Sequence, residues 1–182
     1  FKNINFFFGD EGLLELISDS KPDMVVNALV GFVGFLPSVH ALKMNIDLAL
    51  ANKESLVVGG DIINNLLKET SAKLYPIDSE HVALAKCLKG KKKKEIKRLV
   101  ITASGGSFRD LSREELINVT KEDALKHPSW SMGEKITIDS ATMMNKGFEI
   151  IEAKHLFNLP LKKIDVLLHD ESVIHSLVEF VD

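Results

Sequence analysis

The 23 residues from His127 to Glu149 hold one His, one Trp, several hydroxyls, an Asn145-Lys146 pair and a Glu, with two glycines among them. A helix that only packs repeats apolar residues every three or four positions and keeps its charges on the back. Here polar groups stand where core residues are expected. That pattern points to a site for a small anion such as a phosphate, and it is compatible with a metal ion nearby.

Other chemistry-bearing residues fall at predicted strand ends. Asp78 and Glu80 lie two positions apart just after a strand, so in an extended turn both carboxylates can point the same way. With no paired His or Cys nearby they suit a hard cation such as Mg²⁺ or Mn²⁺, which takes oxygen ligands, and Glu149 offers a third carboxylate. The commoner reading of Asp78-Ser79 is a helix cap with Glu80 in the first turn, near the positive end of the dipole. Ser104-Gly105-Gly106-Ser107 follows a predicted strand and can either cradle an anion with backbone N–H groups or form a plain tight turn. Lys53, at a strand-to-helix junction, can meet a phosphate or an enolate oxygen, though lysines there are usually solvated. His127 can donate to a phosphate or be an ordinary surface or core residue. Trp130 and Met132, flanked by Ser129, Ser131 and Gly133, read as a flap over a ligand or as a loop anchored by one aromatic. His40, His81, His155 and His169 read as ordinary packing or surface residues.

The elements that must position these residues follow from patterning. Residues 4–8 form a short strand candidate, and a helix capped by Asp10 follows to about Ser18. Residues 23–30 are nearly continuous in apolar and β-branched types, as expected of a strand buried on both faces. A helix carrying Leu36, Val39, His40 and Leu42, a strand over 46–51, a helix over 54–70 and a strand over 73–77 complete a βαβαβ rhythm. That rhythm implies a parallel sheet with helices on both faces, and ligands in such folds sit at the carboxyl ends of the strands. Further on, 79–88 reads as a helix, 91–94 as a solvated loop and 97–103 as a strand. Ser112 with Glu115 makes a capping-box pattern opening a helix over 112–117. A single helix is expected over 140–156, stopped by Asn158 and Pro160, with strands over 164–168 and 173–180. On one helix, Lys146 and Glu149 are three positions apart and share a face with the anion grip.

Composition removes several classes of function. A net charge of −3 across 182 residues argues against nucleic acid or a membrane surface as the main partner, and the Lys91–Lys94 run has no aromatic interleaved with it. The longest apolar stretch, residues 24–37, is too short to span a bilayer. A single Cys, Cys87, gives no disulfide framework and fits a reducing cytosol. The first residue is Phe and the chain ends directly after an apolar run, which reads as an internal piece of a longer protein without a signal peptide.

Several segments taken together resemble the 1-deoxy-D-xylulose 5-phosphate reductoisomerase family of the non-mevalonate isoprenoid pathway. They are Asn27-Ala-Leu-Val-Gly31, Ala49-Leu-Ala-Asn-Lys-Glu-Ser-Leu56, Pro76-Ile-Asp-Ser-Glu-His81, Thr102-Ala-Ser-Gly-Gly106 with Phe108-Arg109, the His127 to Glu149 block, and Val173-Ile-His-Ser176. The His127 to Glu149 block is the specific one; Ser-Gly-Gly alone carries little. The resemblance implies an α/β chain: residues 1–77 as the C-terminal part of a doubly wound, Rossmann-like NADPH-binding domain, and 78–182 as a truncated α+β catalytic domain. It implies metal ligation by Asp78, Glu80 and Glu149. Ser104, His127, Ser140, Asn145 and Lys146 would hold the substrate phosphate and its closing loop. Lys53 and Ser79 would face the reacting oxygens, with Glu80 and Glu149 also reached by substrate. Asn52, Glu54 and Gly133 would contact NADPH, Trp130 and Met132 would form the flap, and His175 would support the site from behind.

The implied reaction rearranges the ketose phosphate skeleton and reduces the product with NADPH to 2-C-methyl-D-erythritol 4-phosphate, using Mg²⁺ or Mn²⁺. The implied protein is a cytoplasmic homodimer when full length, or resident in a plastid-type organelle if eukaryotic. A Gly-rich dinucleotide fingerprint before Phe1 and a helical domain after Asp182 are expected of the family, so the 182-residue chain alone should bind ligands poorly and turn over little. Ser107 stands where the family pattern has Pro, and Val58-Gly59-Gly60 replaces Thr-Cys-Gly. Two rivals remain open at this point: a non-redox metal-dependent phosphosugar isomerase or aldolase, and a non-catalytic module binding phosphosugar and metal.

Overall fold

The computed structural model describes residues 4–127 and 131–182, and the chain divides into two compact units, Phe1–Asp78 and Ser79–Asp182. The first unit runs α1 (Gly9–Ser20), β1 (Met24–Asn27), α2 (Phe35–Lys43, entered through a 3₁₀ turn at Gly31–Gly34), β2 (Asp47–Leu50), α3 (Lys53–Glu69) and β3 (Leu74–Pro76). Its strands pair in parallel in the order β1-β2-β3. Two crossovers of the usual right hand that step the same way must lie on one face of the sheet, and α2 and α3 do pack against each other. On the opposite face Met24, Val26 and Tyr75 are exposed, while Ala49 between them is buried.

Three local expectations differ for physical reasons. Residues 4–8 form no strand, having no strand to pair with among the described residues. The 23–30 run yields only the four residues of β1, which pairs with β2 alone among the described residues, and Val26 is 67 % exposed because its side chain lies on the sheet face away from α2 and α3. Helix α1 opens at Gly9 behind Phe8, and Asp10 sits inside its first turn rather than at the cap.

Helix α3 starts as its sequence suggests. The Asn52 side chain accepts the Ser55 N–H at 3.0 Å, so one of the helix's unpaired first-turn donors is satisfied. The helix kinks at Gly59, where a β-carbon would lie 2.1 Å from the Phe35 ring. At the kink α3 comes close enough to α2 that any larger residue would have to displace the Phe35 ring.

The second unit runs α4 (Ser79–Cys87), β4 (Ile96–Ala103), α5 (Lys121–Ala124), α6 (Glu134–Ala141), α7 (Met144–Phe157), β5 (Ile164–Leu168) and β6 (Ser176–Phe180). Strand β4 is central, parallel to β5 and antiparallel to β6, giving the mixed sheet of an α+β unit. Alternation along β4 turns Leu99 and Ile101 into a core with Leu84 of α4, Ala153 of α7, and Ile164. On the other face Arg98 bridges Asp165 of β5 at 2.8 Å and Glu179 of β6 at 2.5 Å. Ser112 and Glu115 form their reciprocal pair, but only a 3₁₀ turn, Glu115–Asn118, follows. Lys91–Lys94 are exposed.

The expected single helix over 140–156 is two helices. The chain breaks at Thr142-Met143, where Met143 is left-handed (φ 60) and the Thr142 hydroxyl donates back to the Ile138 and Asp139 carbonyls. Ser140 therefore belongs to α6, and Asn145, Lys146 and Glu149 to α7. The two helices bury different residues, Thr137 and Ala141 in α6 against Lys146, Glu149 and Ala153 in α7, and one straight helix cannot present both sets. At its far end α7 stops at a left-handed Asn158 before Pro160, as the sequence suggests. No described helix is long and apolar enough to cross a membrane.

Candidate functional site

In the first unit, Lys53 opens α3 just after β2, and Asp78 lies just after β3. Because β2 and β3 are parallel neighbours, both residues come to the same carboxyl edge of the sheet. There the Lys53 Nζ meets Asp78 Oδ2 at 2.8 Å. Lys53 is 7 % exposed, so the solvated-lysine reading gives way to a buried ion pair. Asn52 is also buried, and its amide nitrogen donates to the carbonyls of Leu29 at 2.6 Å and Gly31 at 2.8 Å and to Glu54 at 3.2 Å. Its side chain ties the loop after β1 to the start of α3.

In the second unit, the first turn of α4 faces α7. Lys146 donates to Glu80 Oε1 at 3.0 Å and to Glu149 Oε2, and Asn145 donates to Glu149 Oε1. Lys146 and Glu149 are nearly inaccessible, and Glu80 keeps 19 % of its side chain exposed. Burial pushes the Glu80 carboxyl up, but the Lys146 ammonium and hydrogen bonds from Ser79 and Lys146 outweigh it and hold the group below the usual carboxylate range. Hard oxygen donors gathered from two elements around one positive charge fit a divalent cation of the Mg²⁺ class.

Two residues that sequence reading passed over organise this cluster. His81 is fully buried, its Nε2–H donates to the Glu149 backbone carbonyl at 3.0 Å, and its Nδ1 lies 3.7 Å from Glu152. The imidazole thus links α4 to the α7 turn that carries Glu149. The available signal was the i, i+3 spacing of Glu149 and Glu152, which puts a second acid on the same helix face. Ser176 adds a further tie by donating to the Glu80 carbonyl at 3.0 Å. His175 contributes its backbone carbonyl, which accepts from the Thr102 hydroxyl at 2.8 Å.

The loop after β4 forms a second cluster in the same unit. Ser104 Oγ lies 3.3 Å from His127 Nε2, and Arg109 donates to the Ser104 carbonyl at 3.2 Å. Gly105 and Gly106 both have left-handed φ (88 and 71), and a β-carbon on Gly106 would sit 2.3 Å from the Ser140 carbonyl oxygen. Glycine is required there twice over, by φ and by contact, and the loop is pressed onto the end of α6. The Ser104 loop thus meets both the His127 ring and the Ser140 backbone. Burial first, and the Arg109 charge second, hold His127 below the usual imidazole range. A cavity of about 540 Å³ opens beside them, lined in part by Gly105, Phe108, Arg109, Ala141 and Thr142. Gly133 caps α6, its carbonyl accepting from Thr137, and Met132 is half-buried. Trp130 and Ser129 of the expected flap lie outside the described residues.

Fold and site define the class: an α/β protein whose parallel-sheet unit leads into a mixed-sheet unit bearing a carboxylate–lysine cluster and a glycine-bound serine–histidine loop. Comparison with known proteins agrees. The family model for 1-deoxy-D-xylulose 5-phosphate reductoisomerase matches residues 2–60, and the model for the C-terminal domain of that enzyme matches 74–157. The enzyme of that name from Macrococcus caseolyticus is 57 % identical over 99 % of this chain and 48 % of its own length. The one from Halalkalibacterium halodurans is 58 % identical over 96 % of this chain and 46 % of its own. A crystal structure of DOX-P reductoisomerase with NADPH, fosmidomycin and magnesium superposes with a TM-score of 0.89 at 48 % identity, over 96 % of this chain and 45 % of that one. The Zymomonas mobilis enzyme in complex with NADPH gives 0.86 at 44 % identity, over 96 % and 44 %. The chain belongs to the 1-deoxy-D-xylulose 5-phosphate reductoisomerase family. It spans about half the length of the curated relatives it matches.

Proposed function

We propose that this chain carries the metal- and phosphate-binding part of an enzyme that converts 1-deoxy-D-xylulose 5-phosphate to 2-C-methyl-D-erythritol 4-phosphate with NADPH and Mg²⁺ or Mn²⁺. The observation that carries this reading is the buried convergence of Glu80, Lys146 and Glu149, one charge cluster drawn from the two helices that bear the family's most specific motifs. It is supported by relatives of that name and by a solved relative in complex with NADPH, fosmidomycin and magnesium.

In this reading Glu80 and Glu149, with Asp78 two residues before Glu80, hold the divalent cation. The cation, when bound, supplies Lewis acidity that gathers the substrate's neighbouring oxygens and polarises the carbonyl that takes hydride. The chain's own residues do the rest. Ser104, His127, Ser140, Asn145 and Lys146 grip the phosphate, turning remote binding energy into orientation of the reacting end. His127, held largely neutral at physiological pH, donates one ring N–H to a phosphate oxygen. Lys53 and Ser79 address the substrate oxygens. Asn52, Glu54 and Gly133 line the nicotinamide side, with residues 1–77 as the end of the NADPH-binding domain and 78–182 as the catalytic domain. Trp130 and Met132 close over the ligand. By the same resemblance, the full-length protein is a cytoplasmic homodimer, or plastid-type in a eukaryote.

The test is NADPH consumption by the full-length protein with the ketose phosphate and Mn²⁺. Turnover should require both cofactors, and Glu149→Gln should lower kcat/KM by about 100-fold, equivalent to roughly 2–3 kcal/mol. Product formed without nicotinamide, or a Glu149→Gln enzyme as fast as wild type, overturns the proposal.

A further inference from the structure

Lys146 stands where a phosphate grip alone would not require it. Its ammonium lies between Glu80 of α4 and Glu149 of α7, donating to both, and its side chain is 7 % exposed. Two carboxylates brought this close on separate helices repel unless a positive charge lies between them, and a buried ammonium is itself costly unless paired. The three charges therefore hold one another in place. A divalent cation binds carboxylate oxygens directly and carries twice the charge. Once it binds these two carboxylates, the ammonium loses its reason to stay and becomes available to an anion at the start of α7, where helix N–H groups also favour negative charge.

We propose that Lys146 is an exchangeable counter-ion: it holds Glu80 and Glu149 together in place of the divalent cation, and the cation's arrival hands it over to the substrate phosphate. Cation and phosphate binding are then coupled, each tightening the other by the same factor, as linkage requires. The proposal rests on the assignment of Glu80 and Glu149 as cation ligands. It goes further by giving the phosphate-binding lysine a second partner and by coupling the two halves of the site.

The experiment measures Mn²⁺ affinity of the full-length protein by the loss of the free-ion electron paramagnetic resonance signal, with and without sulfate as a tetrahedral dianion. In wild type, sulfate should tighten Mn²⁺ binding about fivefold or more. Lys146→Met removes the competing ammonium, so Mn²⁺ without sulfate should bind at least about fivefold tighter than to wild type, and the sulfate effect should vanish. Lys146→Arg keeps the charge between the carboxylates and should bind Mn²⁺ no tighter than wild type. Should Lys146→Met not fold, the wild-type sulfate effect and Lys146→Arg decide the matter. Wild-type Mn²⁺ affinity indifferent to sulfate, or unchanged or weakened in folded Lys146→Met, overturns the exchange. Glu149→Gln separates the two levels: Mn²⁺ binding that does not depend on Glu149 overturns the ligand assignment and the exchange with it, whereas Glu149-dependent binding with no effect of Lys146→Met overturns the exchange alone.

Discussion

The ammonium of Lys53 and the carboxylate of Asp78 lie 2.8 Å apart, joining the residues that follow two neighbouring parallel strands. Lys53→Met keeps the aliphatic stem but leaves Asp78 without its cation. An acceptor stranded in this way costs about 1–3 kcal/mol, and Asp78 keeps 25 % of its side chain exposed, which favours the lower half of that range. Lys53→Arg should recover part of the loss. Urea unfolding midpoints compare the variants; an unchanged Lys53→Met midpoint would show that the pair contributes nothing to the fold.

Gly106 and Gly90 form a matched pair of glycines. Both have positive φ, 71 and 78, but a β-carbon on Gly90 meets nothing within 4 Å whereas one on Gly106 runs into the Ser140 carbonyl. Gly90→Ala should cost about 1–2 kcal/mol from backbone strain alone. Gly106→Ala adds overpacking of roughly 1–3 kcal/mol and lifts the Ser104 loop off α6. Thermal denaturation should rank the two in that order, and sulfate affinity should fall only for Gly106→Ala.

His127 should titrate below the ordinary imidazole value of about 6.5. Since its folded pKa is depressed, the unfolded chain binds the His127 proton first as pH falls. Stability is therefore fully present above about 6.5 and declines as pH drops from there through the folded midpoint, levelling off below it. His127→Gln should flatten that part of the stability–pH curve. NMR titration of the His127 ring reads the midpoint directly, and a value at or above about 6.5 refutes the assignment.

Leu99 and Arg98 are neighbours on β4 with opposite energetic roles. Leu99 is fully buried in the second unit's core, so Leu99→Ala should cost roughly 3 kcal/mol or more from lost contact and the cavity left behind. Arg98 makes ion pairs with Asp165 and Glu179 on a half-exposed surface, and Arg98→Ala should cost far less, an effect that shrinks further in high salt. Chemical denaturation of both variants at two salt concentrations checks the contrast.

Much of this arrangement is legible in the amino acids, and the exceptions share a cause. The strands over 46–51, 97–103 and 164–168 appear within one or two residues of their expected ends, because period and β-branching are local properties. The Asn52 cap and the Asn158 stop appear for the same reason. Local patterning failed at β1, whose apolar run reads as buried on both faces although Met24 and Val26 are exposed on one, and at residues 4–8, which have the composition of a strand and no partner among the described residues. It also failed at Thr142-Met143, where no Gly or Pro marks the break between α6 and α7.

By itself, the sequence determined which side chains capable of chemistry are present and, through its motifs, the family to which the chain belongs. Composition, charge and side-chain type are fixed by covalent structure and need no fold to be read. Only the tertiary structure decided which of those residues meet. It buried Lys53 against Asp78, set the Lys146 ammonium between Glu80 and Glu149 sixty-six and three positions away, and made His81 the link from α4 to α7. Those pairings depend on strand order and helix packing, and elements far apart in the chain become neighbours only when a shared core repays the entropy of bringing them together.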